Sequence, residues 1–214
     1  MTTPPTIQGS PESRSDWQAG PAYAVFISVF LITMITATVV TFILPESYAS
    51  TARVRVEIAA TNMGPFFIQT QVEVIRSELV LSNAVKKLNL NELWGKKYFA
   101  GETLKTTESM KILMDRLSLA PARNSEIIAI TIYSDDRREA ATIANTVAGE
   151  YQNYCLEKPK TEVGNPVVTI IDAAVPASRP SKPNKPLNLA MGAVAGVLLG
   201  AAAAWLVGLM NRQE

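Results

Sequence analysis

The sequence predicts an α/β fold: a small mixed β-α-α-β-α-β membrane-proximal domain held between two transmembrane helices. Three observations carry this. Two uncharged apolar runs, Ala22–Leu44 and Leu189–Met210, lie near the two ends of the 214-residue chain. The residues between them alternate between the period of a half-buried strand and that of an amphipathic helix. A proline-rich run then separates the last strand-like stretch from the second apolar run. The expected organisation is a mobile tail (1–21), a first span (22–44), a domain (45–175), a spacer (176–186), a second span (187–210) and a C-terminal tail (211–214).

Each apolar run reaches about 30 Å as a helix, the thickness of a bilayer's hydrocarbon core. With 48% hydrophobic and only 18% charged residues, the chain has too little else to cover two such helices in a soluble core. The leader is long and lacks a basic start, so the first run reads as a retained anchor rather than a signal peptide. Two spans place both tails on one side. The basic residues nearest the spans, Arg53, Arg55, Arg179, Lys182 and Lys185 in the domain against Arg14 and Arg212 in the tails, would by charge alone put the domain in the cytoplasm.

Element by element, Val54, Val56 and Ile58 alternate with Arg53, Arg55 and Glu57, the pattern of a half-buried strand just past the first span. Val72, Ile75, Leu79, Val85 and Leu88 then recur at helical spacing, predicting one helix over about residues 70–90. Trp94, Tyr98 and Phe99 fall in a polar connection, where they are expected to pack over the core edge. Met110, Leu113, Met114 and Leu117 mark a shorter helix. Ile128, Ile130 and Ile132 give a second strand. Asp136 and Glu139 have capping-box spacing ahead of a helix whose stripe is Ala140, Ile143, Ala144, Val147, Tyr151 and Tyr154. The segment from Pro166 to Pro176 is the third strand.

Pro176, Pro180, Pro183 and Pro186 predict an extended spacer of about 30 Å, at about 3.1 Å per residue. Arg179, Lys182 and Lys185 recur every third residue along it, a spacing suited to a lipid-phosphate or subunit contact. In the second span Gly192, Gly196, Gly200, Ala204 and Gly208 hold one register, a small-residue ridge expected to pack against the first span and against neighbouring copies.

The chain offers little material for catalysis. It has no histidine, and its one cysteine, Cys155, forms neither an internal disulfide nor a thiolate metal site by itself. No phosphate-binding glycine loop is present. Asp135 with Asp136, and Glu102 with Glu108, are candidate carboxylate pairs, but capping accounts for the first more simply. A net charge of +1 with interspersed signs disfavours nucleic acid. No catalytic, cofactor or metal residues are assigned; the residues read as an anchored, assembling domain rather than an enzyme.

Several segments together resemble the chain-length determinant, or polysaccharide co-polymerase, family of the Wzz type. Tyr48 and the strand after it, with Ala49 and Ala52, resemble the family's first strand. Ile75, Ser77, Val80, Leu81, Val85, Leu88 and Leu90 resemble its next helix. Ile130, Ile132, Tyr133, Asp136, Ala140, Ile143, Ala144 and Asn145 resemble its strand–helix signature, with Arg137 where a proline is usual. Ile170, Ile171, Asp172, Ala174 and the four spacer prolines resemble its last signature, one spacing being longer by a residue. The resemblance implies a two-pass protein of the cell inner membrane, with a periplasmic or extracellular domain and cytoplasmic termini, against the charge count. It implies homo-oligomers that regulate the chain length or export of a surface polysaccharide, lipopolysaccharide included. The partners it implies are a polymerase, an exporter or a separate tyrosine kinase. The short connection after Tyr154 and the brief tail predict a form without a long helical arm or a kinase domain. A structural scaffold subunit of an unrelated membrane complex is the alternative.

Overall fold

The computed structural model describes residues 16–58, 66–157 and 166–210. The expected mobile tail lies largely outside these, as do the C-terminal tail and most of the connection expected to exclude a helical arm. The chain divides into two units, one of helices near its ends and one spanning Glu46–Lys182.

In the first unit, α1 (Asp16–Ile43) and α7 (Lys185–Met210) pack against each other. Both are long and apolar enough to cross a membrane, over Ala22–Ile43 and Lys185–Met210. Large side chains such as Ile32, Ile35, Leu198 and Trp205 are more than 60% exposed, the inverse of a soluble protein's helix. Five hydroxyls of α1, from Ser28, Thr33, Thr36, Thr38 and Thr41, each donate to the carbonyl four residues back. That local bonding satisfies each donor within the helix, as a lipid-facing helix requires. Helix α1 begins at Asp16, ahead of the expected start at Ala22. Helix α7 takes in Lys185 and Pro186, which the sequence had placed in the spacer. Proline is tolerated there because the first turn's N–H groups have no intrahelical acceptor.

The second unit is a four-stranded antiparallel sheet in the order β2-β3-β1-β4: β1 Tyr48–Glu57, β2 Leu117–Pro121, β3 Ile127–Ser134 and β4 Val167–Asp172. Alternation decides which face is buried. Ala52, Val54 and Val56 of β1, and Ile128, Ile130 and Ile132 of β3, are fully buried. Helix α6 (Arg137–Glu157) covers this face, joined by α3 (Glu78–Lys87) and α5 (Thr106–Arg116). The other face carries Arg53, Arg55, Thr51 and Thr131. The fold is thus the expected small α/β domain between two long apolar helices.

Three elements differ from the sequence reading. The single helix expected over residues 70–90 is two, α2 (Phe67–Ile75) and α3, because Ser77 adopts an extended backbone (φ −60°, ψ 150°). The break resets the helical phase: Val80, Leu81, Ala84 and Val85 face the core, while Leu79 is 54% exposed. A further helix, α4 (Leu90–Tyr98), forms in the expected polar connection, entered through Asn89 in the left-handed region (φ 49°), which asparagine tolerates. Trp94 is wholly buried there, whereas Tyr98 and Phe99 are 38% and 45% exposed. Strand β2 is short and carries Pro121, so its alternation is too brief to register.

Side chains of α6 pin the sheet's exit. Asn145 donates to the Ala174 carbonyl at 2.9 Å and accepts from the Ala174 N–H at 2.7 Å. Gln152 donates to the Val168 carbonyl at 2.7 Å, and the buried Tyr151 hydroxyl donates to Gln71 of α2 at 2.9 Å. Burial, with Cys155 as a secondary influence, raises the Tyr151 pKa, so this phenol remains a donor. Replacing Asn145 by Ala removes two bonds to a buried backbone segment, a loss of about 1–3 kcal/mol. Thermal melting of the full chain in detergent should show a fall of several degrees, whereas an unchanged midpoint would refute the pinning role.

Candidate functional site

Three features could carry function: the helix seam of the first unit, and the strap and polar cluster of the second. In the seam, Gly192, Gly196 and Gly200 are buried. A Cβ added at Gly192 would stand 2.5 Å from the Ala37 Cβ, one at Gly196 3.0 Å from the Phe30 ring, and one at Gly200 2.9 Å from the Phe26 ring and 3.1 Å from the Phe26 carbonyl. The partners descend along α1 as the glycines ascend along α7, so the helices run antiparallel. The Phe26 and Phe30 rings, stacked with centroids 6.3 Å apart, lie over the glycine backbone. Without side chains on one helix, the surfaces approach closely and gain dispersion contacts that lipid does not supply. Ala204 and Gly208 are half-buried, and a Cβ on Gly208 would meet nothing within 4 Å. Three of the five ridge residues therefore face α1 closely.

The strap is residues 173–184. It bends at Ser178–Arg179 and again at Pro183, so it is not the straight extended spacer expected from Pro176, Pro180, Pro183 and Pro186. Bonds to Ser47 set its path: Ser47 N–H donates to the Lys182 carbonyl (2.9 Å), and Ser181 and Lys182 N–H donate to the Ser47 carbonyl (2.8 and 3.2 Å). The three basic residues accordingly do not share one face of a threefold helix. The Lys182 ammonium sits 4.6 Å from the Tyr133 ring centre, and Lys185, now in α7, sits 5.1 Å from that of Phe42. Arg179 is exposed, with no ion-pair partner among the described residues.

The polar cluster joins α4 to the turn between β3 and α6. Lys97 donates to Asp135 at 2.7 Å and to Glu139 at 2.8 Å. Trp94 Nε1 donates to Glu139, and the Tyr98 hydroxyl donates to Asp135 at 2.8 Å. The Arg116 guanidinium lies 5.1 Å from the Trp94 ring centre and 4.9 Å from that of Tyr98. Burial opposes charge on both Lys97 and Asp135, but their mutual pairing and the hydrogen bonds around them prevail. Lys97 is raised well above the ordinary lysine range, and Asp135 is lowered to about 2. Glu139, expected to complete a capping box, is committed to this cluster instead. Asp136 alone caps α6, accepting from Arg138 N–H at 2.7 Å. Glu108 accepts from the Lys105 N–H at 2.9 Å, while the Glu102 carbonyl lies against Gly95 of α4. Asp135 and Asp136 thus serve different partners, one in the cluster and one at the helix start.

Replacing Gly196 by Leu should lower the thermal stability of the detergent-solubilised helix pair, whereas Gly208→Leu, in open space, should not. Equal behaviour of the two variants would remove the seam. The ion pairs set a pH dependence as well. Asp135 is depressed in the folded state, so its contribution is present above an unfolded carboxylate's pKa near 3.8 and is lost as pH falls toward about 2. Lys97, raised, contributes fully below 10.5 and loses its contribution only in strong alkali. Acid unfolding followed by near-ultraviolet circular dichroism should therefore lose part of its slope between pH 4 and pH 2 in Asp135→Asn; an unaltered slope would contradict the pairing.

Residues 142–207, from α6 through β4 and the strap into α7, match the family model described as the GNVR, G-rich domain on putative tyrosine kinase. The matched segment holds Asn145, Ala174, the strap and the three buried glycines. No curated protein matches the chain.

Proposed function

We propose that this chain is a non-enzymatic, membrane-anchored subunit that assembles into a homo-oligomer and regulates the chain length or export of a surface or exopolysaccharide. The observation that carries the reading is the single run from α6 to α7. It combines the match to a G-rich domain associated with putative tyrosine kinases, a sheet exit fixed by Asn145, and a glycine-faced apolar helix. A domain built this way positions itself and its neighbours.

The domain boundaries at 45–175 and the placement of the domain outside the cytoplasm belong to this proposal. So do partnership with a polymerase, an exporter or a separate kinase, and location in the cell inner membrane. The polar cluster's acids and bases are already paired with one another, which leaves them poor proton-transfer groups.

The test is removal of the protein from its native cell, with the length distribution and amount of surface polysaccharide as readout. Mild-detergent purification, with the mass of the intact assembly, accompanies it. A changed length distribution together with a homo-oligomer is the expected result. Unaltered glycans, with fixed-ratio association to a different membrane complex, would establish the scaffold alternative and overturn this reading.

A further inference from the structure

Strand β1 loses its β4 neighbour before the strand ends. The last pair between them is Arg53 with Asp172, and the next tie on that side is Ser47 with Lys182. Residues 173–181 of the strap thus cover an interval that residues 48–52 cover on β1, and the strap bows outward. The result is an open cleft of about 560 Å³ between Ala49–Thr51 and Val175–Arg179. Both rims are fixed. Asn145 clamps Ala174 by two hydrogen bonds, and Ser47 holds Ser181 and Lys182 by three. Between these anchors the strap faces solvent, with Val175 72% exposed.

The chemistry of the lining is one-sided. Backbone groups of a strand alternate in direction, and those of Ser47 point at the strap, so those of Ala49 and Thr51 point into the cleft. Ser50 lines the cleft; it is 2% exposed, and its hydroxyl has no hydrogen-bond partner among the described residues. An unsatisfied buried hydroxyl costs about 1–3 kcal/mol, so a polar occupant has something to gain there. Arg179 supplies a guanidinium, Ser178 a further hydroxyl, and among the described residues no carboxylate lines the space. A guanidinium fork can occupy two oxygens of an anion at once. A phosphate keeps oxygens beyond the two in the fork for a strand N–H and a serine hydroxyl, whereas a carboxylate has only the two that the fork already holds.

We propose that this cleft is a binding site for a phosphate group, with Arg179 providing the charge and Ser50, Ser178 and the exposed edge of β1 providing hydrogen bonds. The phosphate could come from a lipid headgroup, since only Pro183 and Asn184 separate Lys182 from α7, or from a soluble phosphate. The site lies wholly within residues 46–182 and does not depend on the polysaccharide reading.

The experiment uses the full chain in detergent and two probes. Inorganic phosphate is titrated against chloride at matched ionic strength, with thermal stability as readout. Retention of phosphatidylglycerol against phosphatidylcholine is measured by native mass spectrometry. Stabilisation by phosphate, weakened about tenfold or more in Arg179→Gln, would identify a soluble ligand. Preferential phosphatidylglycerol retention, lost in the same variant, would identify the lipid. Ser50→Ala separates binding from folding: without ligand its melting point should be unchanged or higher, while affinity falls about fivefold. If Arg179→Gln behaves as wild type toward both probes, the site does not exist.

Discussion

The pairing of β1 is the constraint on which the domain depends. As a central strand it bonds β3 on one side and β4 on the other, and both partners run antiparallel to it. The chain therefore enters the sheet on β1 and leaves it on β4 at the same end, where Ser47 and Lys182 close a short backbone ladder. The domain's two ends thus emerge side by side, and the two helices that adjoin them in sequence pack against each other in a unit of their own. Neither arrangement is imposed by helix or strand propensity. Each follows from which backbone groups find partners.

Alternation and apolar length were legible in the sequence because each follows from a single repeat. Val54, Val56, Ile128, Ile130 and Ile132 repeat every second residue and are all fully buried. The apolar spans needed only a count of uncharged residues. The failures share a cause, which is that a local backbone choice overrides periodicity. Ser77 breaks a stripe that reads smoothly from Val72 to Leu88, and its hydroxyl makes no capping bond, so no side-chain contact marks the break. Helix α4 was hidden because its buried residues are only Leu90, Trp94 and Gly95. Gly95 leaves no apolar signature, yet a side chain there would collide with the Glu102 carbonyl. Asn145 was visible as part of a family signature. Its grip on Ala174 joins residues far apart in sequence, and spacing alone carries no sign of that.

Glu139 shows how a correct local signal can point to the wrong partner. Its position three residues after Asp136 fits a capping box, and Asp136 does cap the helix. The carboxylate of Glu139 instead meets Trp94, Lys97 and Ser134. Burial decides the matter. The Glu139 side chain is 11% exposed, and a carboxylate so enclosed requires cationic and N–H partners stronger than a single backbone amide. Those partners come from α4, the element that the sequence left as a polar connection. Failing to see α4 and misassigning Glu139 are therefore one error.

The same accounting separates the strap from the rest of the domain. Elsewhere several of its polar groups are matched at close range: Asn145 with Ala174, Lys97 with Asp135, Lys87 with Glu150 at 2.6 Å. Along residues 175–180 the chain is held at both ends and unsupported between, opposite a strand edge with backbone groups directed outward. Pro176 and Pro180 suit such a segment because they restrict the unfolded chain and demand no N–H partner. They also prevent the strap from zipping onto β1 as a regular fifth strand, since each proline lacks the donor that a ladder requires. The gap beside β1 is thus written into the sequence as plainly as the strands are. It is encoded by residues that cannot pair rather than by residues that do.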